Sequence, residues 1–497
     1  MDWNISGVRL ENASGIFHFD FQDYLSQNCD RIVGSHCKCV FLTLGKTTGE
    51  WHSAIQEQTH QGYSQALKLA AEVYRERTSH ELSARQAELL FGHLARLLVW
   101  RIERSKAQLR LMPMDSRARI LAPRIQLPKY VPETSLDAFV AASSRDVGNL
   151  IDASMAQIAL SQSLALEVSR LEAKNSPRQK TFLEDTYAIA SRKLAKFGRN
   201  SNFLIQSSYL GRGREAALSL LLGQLPALNE YFHPQTYEPY SKETYWGSAA
   251  TQEGLLQLLL ANLMPISLIE GAQATRRAWF VRGYPLAPKV MFTSNAFETD
   301  DAFKLYASHN ISRSAYVVGQ HGNNYGVAQF SELNPEISTS DLFLSWGWNG
   351  ASNVKAVGVL KPKLRRLGRP PNSVLLILRD PLEMFTAGDS YYLHRLYLES
   401  VAMLWSALQK EGLDVKIKAH GAGRELTIQL LREMQDSITL DTFVSPAQSL
   451  GSQKLNKYLA VFCYDSTGII EHAISGRQFV YFAADGLDHI SPDKLRN

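Results

Sequence analysis

Four short polar segments in the second half of the chain carry the residues best suited to chemistry, and each follows an apolar run typical of a buried strand. One begins after residues 459–464, where a small polar turn leads into a helical pattern. Backbone N–H groups at such a turn bind anions, and the positive end of the helix adds to the attraction. An ordinary helix N-cap requires the same turn. The predicted anion-binding residues are Asp465, Ser466, Thr467 and Gly468, with Glu471 one turn later as an acceptor for a ribose hydroxyl.

The second segment ends the strand pattern at residues 415–419. Lys418 and His420 would lie at the carboxyl edge of the same predicted sheet, where ligands of open α/β sheets bind. A histidine there could pair with a phosphate, and Gly421 would let the backbone approach it closely. A structural histidine with internal hydrogen bonds is the alternative explanation.

The third segment, residues 319–326, is rich in glycine and follows the strand pattern at 315–319. His321 lies between flexible neighbours, which suits a general acid or base in a cleft. The alternative is a turn in which asparagine and glycine satisfy the backbone geometry. The polar side chains predicted to bind substrate here are Gln320, Asn323, Asn324 and Tyr325.

Two neighbouring strand ends add further candidates. Asn295, Asp300 and Asp301 follow one strand pattern, and a carboxylate there could act as a base or a nucleophile. Helix capping is the alternative for these residues. Trp346 and Trp348 form the fourth segment, and their indole faces suit stacking on a sugar or a base, although packing in a core is the commoner use.

Composition limits the classes of function. The 497 residues suggest about three folding units, and a content of 45% hydrophobic and 20% charged residues is that of a globular protein. The 53 basic and 48 acidic residues leave a net charge of only +5, too little to indicate a nucleic-acid partner. Four cysteines form no disulfide framework, and Cys37-Lys38-Cys39 lacks zinc-knuckle spacing. A reducing compartment and no metal ion are therefore expected.

The sequence predicts a soluble, cytoplasmic protein. The N-terminus lacks a basic region followed by an apolar run, and the most apolar window, residues 255–269, contains three interrupting residues at 257, 262 and 265. A row of basic residues along a predicted helix leaves peripheral contact with a membrane open, although a solvated helix face is the preferred explanation. The row comprises Arg96, Arg101, Arg104, Lys106 and Arg110.

Periodicity divides the chain into a helical part and an alternating part. Helical patterns cover residues 62–110, two stretches within 136–196 that separate near 175–177, and then 215–225 and 253–263. Strand patterns occur at 40–44, 290–293, 315–319, 341–346 and 354–359. After prolines at 362, 370 and 371, strands at 374–378, 415–419, 459–464 and 478–482 alternate with helices at 393–408, 424–434 and 468–475. This alternation predicts an α/β fold with doubly wound parallel sheets.

Two such Rossmann-like units facing a cleft, the first with a large helical elaboration, form a GT-B-like architecture. Glycosyltransferases and nucleotide-sugar epimerases share it. The order and spacing of residues 289–296, 300–301, 319–326 and 345–348 resemble a bacterial family of transferases encoded in surface-carbohydrate loci for capsule, O-antigen or flagellar glycan. The helical stretch 80–106 resembles that family as well.

The C-terminal unit is more distantly similar to transferases that use CMP-activated ulosonic acids of the sialic, legionaminic, pseudaminic and Kdo types. Those carry a Lys-x-His-Pro element and a downstream Ser/Thr–Gly turn at the CMP site, which Lys418, His420 and the turn 466–468 match. Gly421 replaces the proline. Only about fifteen residues follow the last predicted strand, whereas GT-B chains usually finish with a helix that returns to the first domain. The expectation is therefore either a shortened C-terminus or a fold without that closing helix.

This resemblance implies a GT-B glycosyltransferase that transfers an ulosonic acid from a CMP donor to a bacterial surface glycan, with no cofactor. Residues 1–365, with a helical insertion at about 60–265, would hold the acceptor, and residues 366–497 the nucleotide. His321 would be the base of an inverting route, and Asp300 or Asp301 the nucleophile of a retaining one. Three alternatives remain: a nucleotide-sugar epimerase, a CDP-polyol phosphotransferase, and a non-catalytic scaffold in polysaccharide assembly.

Overall fold

The computed structural model describes most of the chain in separate stretches. These are residues 9–12, 15–18, 37–39, 48–110, 119–121, 125–128, 132–161, 168–171, 198–224, 249–322, 325, 333–360, 372–378, 391–419, 424–444, 458–463 and 478–481. The predicted strand at 40–44 and the predicted helix at 468–475 lie outside these residues.

Short strands precede the first helix and follow the second. β1 (Arg9–Asn12), β2 (Gly15–His18), β3 (Cys37–Cys39) and β4 (Arg119–Leu121) form a sheet in the order β3-β2-β1-β4. β5 (Ile125–Pro128) pairs in parallel with β6 (Val168–Leu171). Cys37 and Cys39 are the end residues of the strand β3.

The predicted helical stretch 62–110 consists of two helices that pack against each other, α1 (Thr48–Thr78) and α2 (Ala84–Leu109). The chain turns between them at Ser79, whose φ of 58° is left-handed. A capping box then starts α2, because the Ser83 hydroxyl accepts from Gln86 N–H and the Gln86 side chain accepts from Ser83 N–H.

Two helices occupy residues 135–160 of the predicted helical region 136–196. α3 (Ser135–Ser143) begins after a capping box at Thr134, and α4 (Arg145–Leu160) begins after the side-chain cap of Ser144. These two helices separate at Ser144, and the break predicted near 175–177 lies outside the described residues. Three more helices follow: α5 (Arg212–Leu221), α6 (Gln252–Leu263) and α7 (Ala272–Val281).

A five-stranded parallel sheet carries the first group of candidate residues. Its strands are β7 (Phe203–Gln206), β8 (Val290–Thr293), β9 (Ala315–Gly319), β10 (Leu342–Ser345) and β11 (Val354–Ala356), and they are arranged in chain order. Between β8 and β10, the described residues form three helices: α8 (Ala296–Thr299), α9 (Asp301–Asn310) and α10 (Pro335–Ser338). All the strands are parallel, so their carboxyl ends share one edge of the sheet.

A second parallel sheet contains β12 (Ser373–Ile377), β13 (Asp414–Lys418), β14 (Ala460–Cys463) and β15 (Gln478–Tyr481), in the order β13-β12-β14-β15. Its helices are α11 (Tyr391–Lys410), after which Gly412 takes a φ of +74°, and α12 (Arg424–Met434). β13 lies on one side of β12 and β14 lies on the other, so the strand order reverses between β12 and β14. Ligands of open α/β sheets bind at such a reversal.

Two principal apolar cores stabilise these elements. One joins the helices α1–α4 and α6 to the first parallel sheet, from Tyr63 to Phe343, so the helical part and this sheet share a core. The other is built from residues between Val374 and Phe462. Within the described stretches, no helix has the length and apolar character needed to cross a membrane.

Candidate functional site

The candidate residues of the first sheet meet at the carboxyl ends of β7 to β10. Gln320 connects two of these ends, since its Oε1 accepts from the Trp346 backbone N–H and the Trp348 indole N–H, at 2.8 Å each. Its Nε2 donates to the Gly322 carbonyl at 2.7 Å. The Gln320 side chain is buried, and these hydrogen bonds hold the backbone next to His321 in place.

His321 lies at this edge with a partner on each ring nitrogen. Nε2 is 3.3 Å from Glu298 Oε1. The His321 side chain is 20% exposed and the Glu298 side chain 39%. Nδ1 is 3.1 Å from the Tyr325 hydroxyl. The rings of Phe297 and Tyr209 lie 5.6 and 6.3 Å from the imidazole. The histidine is therefore held in place yet remains partly open to solvent, as a general acid or base must be.

Behind His321 lies a buried acid–base cluster. The Tyr325 hydroxyl donates to Glu336 Oε1, and Glu336 Oε2 faces His93 Nε2 at 3.4 Å. Burial raises the pKa of Glu336 above its ordinary value, an effect that the positive charge of Arg96 partly offsets. Burial, together with Arg96 and Lys304, holds the pKa of His93 well below its ordinary value. At neutral pH His93 is uncharged.

Asp300 is part of the scaffold beneath the site. Its carboxylate accepts from Arg282 at 2.7 Å, from Gln206 Nε2 at 3.2 Å and from the Phe303 backbone N–H at 3.1 Å. The last contact caps α9. The Asp300 side chain is only 3% exposed, and its carboxylate is hydrogen-bonded to buried partners.

Asp301 is buried as well, and its carboxylate connects α9 to α3 and to the short 3-10 turn Ile266–Leu268. It accepts from Ser135 N–H at the start of α3, at 2.9 Å, and from the Ser267 hydroxyl. Burial raises the pKa of Asp301, and burial lowers the pKa of the neighbouring Lys304 to about 8. Lys304 in turn donates to the Ser135 hydroxyl at 2.9 Å. These contacts connect α9 to α3.

The remaining described candidates surround the site. Asn295 precedes α8, where the Thr293 hydroxyl accepts from the backbone N–H groups of Asn295 and Ala296. Trp348 packs on Phe343, with ring centres 5.9 Å apart, so its ring belongs to the core. Trp346 is half-buried. Asn323 and Asn324 lie outside the described residues.

In the second sheet, strand register aligns the ends of three strands. Lys418 ends β13 and pairs with Ile377 of β12, and Ile377 pairs on its other side with Cys463, the end of β14. Lys418 is half-buried. The predicted donor residues that follow these ends lie outside the described residues: His420, Asp465, Ser466, Thr467, Gly468 and Glu471.

The basic row on α2 does not form one exposed face. Arg101 is buried and donates to the Ser144 carbonyl at 2.9 Å, and Arg96 donates to the Leu333 carbonyl at 2.7 Å. Lys106 pairs with Glu103 on the same helix at 3.1 Å. In the described stretches, no three His, Cys, Asp or Glu side chains lie close enough to share a metal ion.

The sequence patterns do not point to Glu336, His93 or Tyr209. Glu298 belongs to a segment that was selected, but its neighbours Asp300 and Asp301 were preferred. One feature of the sequence could have indicated that His93 is buried: it falls on the apolar stripe of α2 that Leu90, Leu94 and Leu97 define. A polar ring on such a stripe needs a buried partner, which a single sequence does not identify.

The fold and site define an α/β protein with parallel sheets, compatible with a Rossmann-like fold, whose polar residues gather at strand ends. The chain belongs to the LIC12162 family of transferases, because the model of that family matches residues 136–492. The match spans both parallel sheets and begins after α2. No curated protein matches the chain. The protein is therefore a transferase of this family.

Proposed function

We propose that this transferase is a glycosyltransferase that moves an ulosonic acid from a CMP-sugar donor to a bacterial surface glycan or its lipid-linked precursor. The observation that carries the proposal is the strand order of the second sheet, which reverses beside the strand leading to Asp465. Membership of a transferase family and the Lys418–His420 and Ser466–Gly468 elements support it further.

The donor would bind at the carboxyl edge of the second sheet. Neighbouring strands lie about 5 Å apart, so the ends of β13 and β14, on either side of β12, are separated by about 10 Å. A nucleoside monophosphate can span that distance. Lys418, His420 and the turn 465–468 would bind the phosphate, and Glu471 a ribose hydroxyl. Stabilisation of the leaving phosphate would come from these groups, with no metal ion or other cofactor.

His321 would act as the base of an inverting reaction. Nε2 takes the proton of the acceptor hydroxyl, the hydroxyl oxygen forms a bond to the anomeric carbon, and the bond from that carbon to the phosphate oxygen breaks. CMP leaves with the bonding electron pair. The exposure of His321 supports this assignment, and the burial of Asp300 and Asp301 weighs against a nucleophilic role for either.

A lipid-linked acceptor would place the reaction in the cytoplasm at the inner face of the membrane. The net charge of +5 suits an anionic donor and an anionic lipid surface. No nucleic acid takes part in this proposal.

A transfer assay tests it. CMP release from a CMP-activated ulosonic acid should require a glycan acceptor, and His321→Gln should lower the rate by about 100-fold or more, the usual contribution of a general base. His309→Gln is the matched control, since His309 is an exposed residue of α9 packed near Trp279. Conversion of a free nucleotide sugar without acceptor would indicate an epimerase. Full activity of His321→Gln would show that the base is another residue.

A further inference from the structure

We infer that Tyr325 and Glu336 are positioning residues that keep His321 protonated on Nδ1, so that Nε2 is the atom that exchanges protons with the substrate. The inference rests on the proposed function for the substrate, but the state of the ring is a property of the protein alone. A histidine base acts through one nitrogen, and the hydrogen bond of the other nitrogen decides which one.

The number of protons available fixes the direction of these hydrogen bonds. Tyr325 has a single hydroxyl proton, and it is donated to Glu336 Oε1. The contact between the Tyr325 oxygen and His321 Nδ1, 3.1 Å long, then needs a proton from the ring. His321 therefore donates from Nδ1, and in the neutral ring the lone pair is on Nε2, which a substrate hydroxyl reaches once the Glu298 carboxylate, 3.3 Å away, moves aside.

The anchor of this arrangement is rigid. Glu336 is the second residue of α10, which begins with Pro335 and is capped by Thr339 bonding back to the Pro335 carbonyl. Arg96 of α2 donates to the Leu333 and Asn334 oxygen atoms just before the helix. A carboxylate on such a segment has little freedom to turn away from Tyr325, so the orientation of the His321 ring is set from behind the site.

The opposite nitrogen has a different environment. Glu298, which faces Nε2, is 39% exposed, and it can move aside for a substrate hydroxyl or stabilise the imidazolium that forms. The charged or titratable groups that face His321 come from α2, α8, the end of β7, the segment after β9, and α10. They are His93, Glu298, Tyr209, Tyr325 and Glu336, and the charge of Arg96 acts on His93 and Glu336.

A purely structural network would make a different prediction. In that case the Tyr325–Glu336 contact would contribute to stability, and its loss would lower the melting temperature without changing the tautomer of His321 or the pH dependence of transfer. The two possibilities are separated by a direct measurement of the ring.

The experiment is nitrogen-15 NMR of the full-length protein labelled only in histidine, at about pH 8 where a free imidazole is neutral. The chain has 13 histidines, so the His321 signals are assigned by their absence in His321→Gln. The variants are Tyr325→Phe, which removes only the hydroxyl, and Glu336→Gln. Ser338→Ala is the matched control on α10, because Ser338 is exposed and its hydroxyl donates to Glu88.

The inference predicts an Nδ1–H tautomer in the unmodified protein and in Ser338→Ala, and its loss in Tyr325→Phe. Tyr325→Phe should also lower kcat for transfer about 10- to 100-fold with little change in KM. An Nε2–H tautomer in the unmodified protein would overturn the inference even if a variant failed to fold. If the Nδ1–H tautomer is found but no CMP-sugar is used, the positioning role stands and the proposed function fails.

Discussion

His93 and Glu336 show how burial changes the chemistry of single residues in this site. The His93 ring stacks on Phe297 at 5.5 Å, and its side chain is only 17% exposed. Burial and the positive charges of Arg96 and Lys304 oppose its protonation, so its pKa lies well below that of a free histidine. Its partner Glu336 has a raised pKa for the same reason, burial. The pair therefore does not behave as an ordinary salt bridge.

Acidification should reveal this state as a loss of stability. A depressed pKa means that the unfolded protein binds more protons than the folded one, so the His93 contribution is fully present above the pKa of a free histidine and declines as the pH falls below it. The decline should reach about 1.4 kcal/mol for each pH unit below about 6.5. Urea unfolding of the protein and of His93→Gln between about pH 5 and 7 measures it, with the exposed His80→Gln as control.

The difference between the protein and His93→Gln should shrink toward low pH, because the variant has no buried imidazole to protonate. The difference between the protein and His80→Gln should stay constant. A constant difference for His93→Gln as well would mean that His93 is protonated in the folded protein.

Among the elements, the end of β9 determines how closely the site residues approach one another. A Cβ on Gly319 would lie 2.6 Å from both Leu360 Cδ1 and Ser294 Oγ, and 3.2 Å from Phe292. Ser294 is buried and bonded to the Ser208 carbonyl, so it has little room to move. Because Gly319 has no side chain, the end of β9 can lie close to the end of β8, and the segments that follow both strands reach the site.

Gly319→Ala should therefore destabilise the protein by about 1–3 kcal/mol, the usual cost of overpacking, and should shift Gln320 and His321 enough to impair transfer. Gly213→Ala is the matched control, because Gly213 lies in α5 with no atom within 4 Å of the added Cβ. That change should be neutral or stabilise the helix by up to about 1 kcal/mol. Thermal unfolding of both variants distinguishes them. Equal stabilities would contradict the close approach at Gly319.

Local sequence predicted those elements whose pattern is local. The strands β8, β9 and β12 to β15 and the helices α11 and α12 were found to within a residue or two, because each is a short apolar run or a periodic stripe bounded by a turn. β7 was missed, since it ends in Gln206, a buried polar side chain that bonds to Asp300.

In the site as well, the sequence predicted only what a local pattern determines. His321 was selected from its glycine-rich surroundings, and it lies at a strand end with acid–base partners. Glu336 and His93 were not selected, because their roles come from contacts between α10, α2 and the segment after β9, which are distant in sequence. The structural use of Asp300 likewise depends on Arg282 and Gln206, and no local pattern distinguishes it from a catalytic aspartate.

At the scale of the whole molecule, the transferase combines two parallel sheets with different strand orders. Within the described stretches, each apolar core draws its residues from one side of position 365, and the domain boundary proposed there stays a prediction. The first sheet carries the ordered acid–base cluster around His321. The second has the strand reversal at which α/β sheets bind ligands. In the proposed function, the first sheet activates the acceptor and the second binds the donor.

Titration calorimetry of the full-length protein with CMP, CDP, UMP and UDP tests this central claim most directly. We expect CMP to bind most tightly and His420→Ala to weaken its binding. His321→Ala should leave CMP binding unchanged, because the proposal places His321 on the acceptor side. A preference for UDP, or no binding of any of the four nucleotides, would contradict the account. Loss of CMP binding in His321→Ala would reverse the assignment of the two sheets.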